Sequence, residues 1–274
     1  MTPIRTLTRR RIGRSTLVAA IVALACLGVA QPARAQGAPA GELELLKGKA
    51  KITRQAQTVV VERAGAREPV YVGDIVHTGG DARATVRLTG TPNTIQLYAA
   101  TYFTVREATP QRTGFALALG KALFNLFRGT DEQRQFDVRT PTATAGVKGT
   151  EFFVGTDGET TYLLTVSGSV GLVNNVFQQR EIIAEVGQAS AARPREVPTP
   201  PIRVSPADLR RVSTEDGMQA FRDLPLRSES ERRQGRARQD AQDAQDTLRR
   251  LTEELREGTS SGSGGALSFD VEGL

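Results

Sequence analysis

The chain has 274 residues, 39% of them hydrophobic, enough to bury one sizeable core with tails around it. Its formal charge of +6 belongs to the first 35 residues, which carry six arginines and no lysine or acid; without them thirty basic residues face thirty acidic ones, so nothing global attracts nucleic acid. Aromatic residues make up 5% and tryptophan is absent, which argues against base-stacking or sugar-stacking platforms.

The chain opens with Arg5, Arg9, Arg10, Arg11 and Arg14, then an apolar run from Leu17 to Ala30, then Ala33-Arg34-Ala35. Basic start, short apolar run and small-x-small site are the three parts of a secretory signal, so residues 1–35 are expected to be a signal peptide removed before Gln36, with the mature chain in the periplasm and no stable transmembrane segment. Thr8-Arg9-Arg10-Arg11-Ile12 leaves the twin-arginine and general export routes both open. Cys26, the single cysteine, falls in the apolar run, so the mature chain is expected to hold no disulfide and no thiol chemistry.

Residues 36–42 form a flexible lead-in. From Leu43 to Ala192 short β-rich runs follow one another: Thr58 to Glu62, Val70 to His77, Arg83 to Leu88, Thr94 to Tyr98, Thr101 to Arg106, Thr161 to Val166, Val170 to Val173 and Glu181 to Val186, with Gly, Asn, Asp or Pro between most of them. That predicts an all-β core over residues 36–192, and periodicity alone leaves β-solenoid and β-sandwich about even. Phe115 to Phe127 is expected to form a strand pair turning at Gly120-Lys121. Between Phe136 and Val154, Thr140, Thr142 and Thr144 alternate with Pro141, Ala143 and Ala145, as in a strand. Gly146 and Gly149 then bracket Val147-Lys148, where a turn with φ > 0 is expected. A phosphate-binding loop would need its Lys after the second Gly and a helix behind it, and neither condition holds.

After Ala192 the composition changes. Five prolines between Arg193 and Pro206 predict an extended linker over 193–227, with a short helix capped by Ser205 and opened by Pro206. Residues 228–257 read as a charged amphipathic helix in which Ala237, Ala241, Ala244, Leu248, Leu251 and Leu255 recur at heptad spacing, so self-association through 237–255, with Leu248, Leu251 and Leu255 as partner-binding residues, is expected. Residues 258–274 read as a disordered tail, although Leu267 to Val271 alternates like a strand that adds to a sheet edge.

The run T-P-x-A-x-A-G-V-K-G-T-x-F over Thr140 to Phe152 resembles the core motif of the FecR domain, an exported β-rich module named after a regulator of iron-citrate transport, with Lys148 where the family usually has Arg. Gly73-Asp74 with Thr78, the run Ala84 to Leu97, Val166 to Val170 around Gly168, and Val186 to Ala189 around Gly187 resemble further family segments in the same order, over about residues 43–190. The resemblance favours an irregular β-solenoid-like module over the sandwich. It implies structural roles for Gly73, Asp74, Thr78, Thr140, Pro141, Gly146, Val147, Lys148, Gly149, Thr150, Phe152, Gly168 and Gly187. The family's best-known members relay a signal from an outer-membrane receptor to a sigma factor through an N-terminal anti-sigma segment. With about 16 residues ahead of the apolar run, that segment is not expected here.

His77, the single histidine, excludes His-based triads and His-rich zinc sites. Ser167-Gly168-Ser169 has no base to activate it and reads as a turn. Asp74, Asp81 and Asp157 sit in turn contexts where a carboxylate caps backbone N–H groups, and no calcium loop is present. No catalytic residue, cofactor or metal ligand is therefore nominated. The chain reads as a non-enzymatic recognition or signalling adaptor for an envelope protein, with no nucleic-acid partner. A self-associating scaffold and, more remotely, a polysaccharide-active enzyme are the rivals.

Overall fold

The computed structural model describes residues 37–127, 135–147 and 149–260. The chain divides at Ala38/Pro39, and everything below concerns the second unit; the expected signal peptide, Lys148 and the segment 261–274 lie outside the described residues. The described residues form seventeen strands: β1 Gly41–Lys47, β2 Ala50–Arg54, β3 Gln57–Val61, β4 Arg67–Val70, β5 Ile75–Thr78, β6 Arg83–Leu88, β7 Thr94–Leu97, β8 Tyr102–Ala108, β9 Arg112–Asn125, β10 Gln135–Arg139, β11 Ala143–Val147, β12 Glu151–Thr156, β13 Thr161–Ser167, β14 Ser169–Asn174, β15 Glu181–Glu185, β16 Gln188–Ala192 and β17 Ile202–Arg203. Among the described residues three helices follow the strands: α1 Pro206–Thr214, α2 Gln219–Arg222 and α3 Glu229–Ser260.

The core is all-β, in two sheets that share β9. The first runs β4-β1-β6-β7-β9-β12-β13-β16-β17. The second runs β3-β2-β5-β8-β9-β10-β11-β14-β15. The pairings are antiparallel except β9 with β10. The chain passes from one sheet to the other in single strands and hairpins, and from β5 onward it advances in one direction along both sheets. The inward residues of both sheets merge into a single cluster. Its aromatic spine is Phe103, Phe115, Phe124 and Phe152, successive rings lying 5.9, 5.5 and 5.1 Å apart.

The run Phe115 to Phe127 corrects one expectation. It is not a hairpin: β9 is one long strand whose first part pairs in the second sheet and whose end, from Gly120 on, pairs in the first. The bend falls at Gly120, at φ +93, where a Cβ would collide with Thr101, so only glycine fits. The stretch around Gly146 corrects another. β10 ends at Arg139, Thr140-Pro141-Thr142 makes the turn, and Gly146 lies within β11 opposite Asp137 and Gly171. Gly149, at φ +80, is the glycine that turns. The turn between β11 and β12 thus falls within the expected Gly146–Gly149 stretch but on Gly149 alone, and the strand expected from the Thr140 to Ala145 alternation is broken by a further turn at Thr140-Pro141-Thr142.

The segment 193–227 is not an extended linker. β17 pairs with β16, the Val204 N–H donates to the Gly187 carbonyl at 2.9 Å, and the Thr199 N–H donates to that of Ala191 at 2.7 Å. Ser205 caps α1 by accepting from the Asp208 N–H, with Pro206 at its first position. Val212, Ala220, Phe221, Leu224 and Leu226 then bury themselves with Tyr98, Phe153, Leu164, Ala189 and Ala191 on the outer face of the first sheet. The prolines fix a path along the sheet, and the apolar residues between them hold the segment down as a strap. α3 runs three residues further than the 228–257 expected, into the segment read as a disordered tail.

Candidate functional site

The family-motif residues expected to be structural are stitches between strands. Gly73 takes φ +91 and donates to the Val105 carbonyl. Asp74 is buried; it accepts from the Tyr71 N–H at 3.0 Å and receives the guanidinium of Arg54 at 2.7 Å, which also stacks over the Tyr71 ring. Arg54 carried no motif signal, because its partner lies across a hairpin. Thr78 donates to the Tyr98 carbonyl and accepts from the Thr101 N–H, while the Thr101 hydroxyl bonds both backbone groups of Lys121. A chain of hydroxyls thus closes the corner where β9 changes sheets.

A second hydroxyl cluster does the same further along. Thr140 and Thr142 both meet the Thr161 hydroxyl, at 2.5 and 2.6 Å, and Thr142 also donates to the Ala192 carbonyl. Pro141 is exposed in the turn, Val147 is buried, and Phe152 stacks on Phe124. Gly168 takes φ +78 against Thr150, whose buried hydroxyl has no partner among the described residues. Gly187 turns at φ +72 and donates to the Thr165 carbonyl. Asp157 caps the Thr160 N–H at 2.8 Å.

The two outer faces of the core differ. The first sheet is covered by the strap, locked by a polar clamp: Arg83 and Lys47 bind the Asp216 carboxylate at 2.6 and 2.7 Å, and the Tyr98 hydroxyl donates to the Ser213 carbonyl. Lys121, 1% exposed, donates to the Val212 and Glu215 carbonyls at the end of α1 and lies 4.1 Å from the centre of the Tyr98 ring. A cation suits a helix C-terminus, yet burial, helped by Arg83, pushes its pKa down to about 8. Nothing in the sequence marked Lys121, expected at a turn, as a buried anchor.

Among the described residues, nothing covers the outer face of the second sheet as the strap covers the first. Val60, Lys51, His77, Tyr102 and Leu119 are successive neighbours across β3, β2, β5, β8 and β9. Tyr102 is 39% and Leu119 38% exposed, and Ile75 is exposed beside them. His77 stacks on Tyr102 with ring centres 4.0 Å apart, and burial, then the charge of Lys51, lower its pKa. A second row crosses the same face through Gly114, Asp137, Gly146, Gly171 and Ile183. Its glycines leave a trough of about 460 Å³ beside the Arg112–Asp137 ion pair. Leu248, expected to bind a partner, is 63% exposed on α3 with Ala237, Ala241 and Ala244 also exposed; the Leu251 and Leu255 side chains lie outside the described residues.

Residues 74–171 match the sequence model of the family described as FecR protein. Residues 74–171 are thus FecR-like in sequence. Strands β5 to β13 and the start of β14 fall within the match, so both hydroxyl clusters belong at least partly to the matched segment. Two crystal structures of a "putative anti-sigma factor" from Parabacteroides distasonis ATCC 8503 resemble the chain at 18% identity and a TM-score of 0.43, over 50% of this chain and 62% of theirs. The chain thus spans less than two thirds of those neighbours. No curated protein matches it. Among the described residues no helix is long and apolar enough to cross a membrane, and no cluster of His, Cys, Asp and Glu is placed to hold a metal ion.

Proposed function

We propose that this chain is an exported, non-enzymatic FecR-domain adaptor that recognises an envelope protein and contributes to signalling, docking through the bare outer face of its second sheet. The observation that carries the reading is the asymmetry of the two faces. The chain uses its own C-terminal strap to cover the first sheet, while Ile75, Tyr102 and Leu119 stay exposed on the adjacent strands β5, β8 and β9 of the second, with exposed Val60 of β3 beyond Lys51 of β2. Contiguous exposed apolar groups on a rigid sheet are the usual mark of a protein-binding surface. The single histidine supports a binding role rather than proton transfer, since it is engaged in the stack with Tyr102. Export rests on the arginine-rich start, the apolar run and Ala33-Arg34-Ala35.

The test is site-specific photocrosslinking in the living source cell, with the reactive group at Tyr102, at Leu119 and, as a control, at exposed Arg87 on β6 of the first sheet. The first two positions should each give a discrete adduct, and its yield should fall at least tenfold in a Val60→Asp background. Equal labelling from Arg87, or an adduct indifferent to Val60→Asp, rejects the face as a docking surface. Self-association through the exposed seam of α3 is the second reading, favoured by the exposure of Leu248; a sedimentation mass that stays monomeric at high concentration rejects it.

A further inference from the structure

The second sheet ends on β15, which among the described residues pairs with β14 alone. Its sequence, Glu181-Ile182-Ile183-Ala184-Glu185, contains no proline, lysine or glycine and no register shift, so what guards this edge is its short length and its two exposed glutamates. In an antiparallel pair the N–H groups of alternate residues point the same way. That of Glu185 is taken by the Gln188 side chain at 2.9 Å, which places the N–H groups of Ile183 and Glu181 on the same side, turned away from β14. The edge thus offers a short ladder that stops at Gln188.

The side chains on the outer face say what the ladder fits. Glu181, Ile183 and Glu185 project there in alternation, with Ile183 60% exposed and neither carboxylate in an ion pair among the described residues. Glu181 lies over Gly171, where a Cβ would collide with its carboxylate, so this charge sits between the edge and the trough. A second copy of the strand is a poor partner. Paired antiparallel about Ile183 it would set Glu181 against Glu185, and like charges opposed across a ladder are unfavourable.

We propose that β15 is a strand-addition site for an extended segment of a protein partner that carries basic, apolar and basic residues at alternate positions. The acid–apolar–acid order reads the same in both directions, so it accepts either strand polarity, with main-chain bonds supplying affinity and the flanking charges selectivity. This site is separate from the row around Tyr102 and does not rest on the docking role given to that row.

The experiment uses the full chain and three fluorescent peptides: Lys-Thr-Val-Thr-Lys, Glu-Thr-Val-Thr-Glu, and the lysine peptide N-methylated at its central residues, which cannot complete a ladder. Fluorescence anisotropy should show the lysine peptide binding at least tenfold more tightly than either of the others. In the double variant Glu181→Lys/Glu185→Lys the preference between the two charged peptides should reverse. Thermal unfolding confirms that this surface change leaves the fold intact. Binding of none of the peptides, equal binding of all three, or an unchanged preference in the double variant overturns the proposal. So does a dimer that Ile183→Asp dissolves, because that result assigns the edge to a second copy.

Discussion

Gly146 and Gly149 stand three residues apart in the family motif, and the fold gives them opposite requirements. Gly149 sits at φ +80, where a β-branched residue costs more than about 1 kcal/mol, whereas Gly146 is extended, exposed and has nothing within 4 Å of the place a Cβ would take. Gly149→Val should therefore lower the thermal midpoint by several degrees, and Gly146→Val should leave it within a degree or two while filling the trough. Equal loss from both would move the turn back to Gly146. Lys121 makes a second residue-level case, through pH. Its pKa is about 8 when folded against 10.5 when free, so between these values the unfolded chain holds a proton that the folded chain has released, and stability rises with pH across that window. Burial raises the pKa of Tyr98, which acts in the opposite sense only from about pH 10 upward. Urea unfolding at pH 7.5 and 9.5 should thus show the wild type gaining on the order of 1–2 kcal/mol relative to Lys121→Met. A constant difference between the two proteins would mean that the carbonyls and the Tyr98 ring hold the ammonium near its ordinary pKa.

At the scale of elements, the strands were legible wherever one face is buried and the other wet. Arg83 to Leu88 was expected and is β6 to the residue, because Ala84, Val86 and Leu88 point inward and their neighbours do not. The same rule misled at β9. Phe115, Leu117, Ala122 and Phe124 all face the shared core, but the strand changes sheets between them, and a bend at a glycine looks in sequence like a hairpin turn. The strap was hidden for a different reason. Its buried residues, Val212, Phe221, Leu224 and Leu226, are spread among prolines and charges without either helical or strand periodicity, so composition suggested a linker. The bare face of the second sheet was hidden too, since Val60, His77, Tyr102 and Leu119 become neighbours only through long-range pairing. Ser205 was legible because a cap is local: hydroxyl, proline and acid lie within four residues of one another.

For the whole molecule, the strap and α3 divide the C-terminal third into a part that completes the fold and a part that leaves it. The strap buries Val212 and Phe221 fully and Leu224 and Leu226 nearly so, each worth about 1.5–3 kcal/mol relative to exposure, in a domain whose net stability is expected to be only about 5–15 kcal/mol. Removing it would also uncover Tyr98, Phe153 and Leu164 and leave the Lys121 ammonium without its two carbonyl partners. By contrast Ala237, Ala241, Ala244 and Leu248 are exposed, and α3 meets the domain through contacts near its start, such as Arg193 with Glu231 at 3.6 Å. Two truncations separate these roles. A chain ending at Arg227 should keep a cooperative transition within a few degrees of the full-length midpoint. A chain ending at Ala192 should precipitate or melt far lower. Were the shorter chain to melt like the longer one, the strap would be a reversible cover rather than part of the core, and the apolar face beneath it would join the surfaces open to a partner.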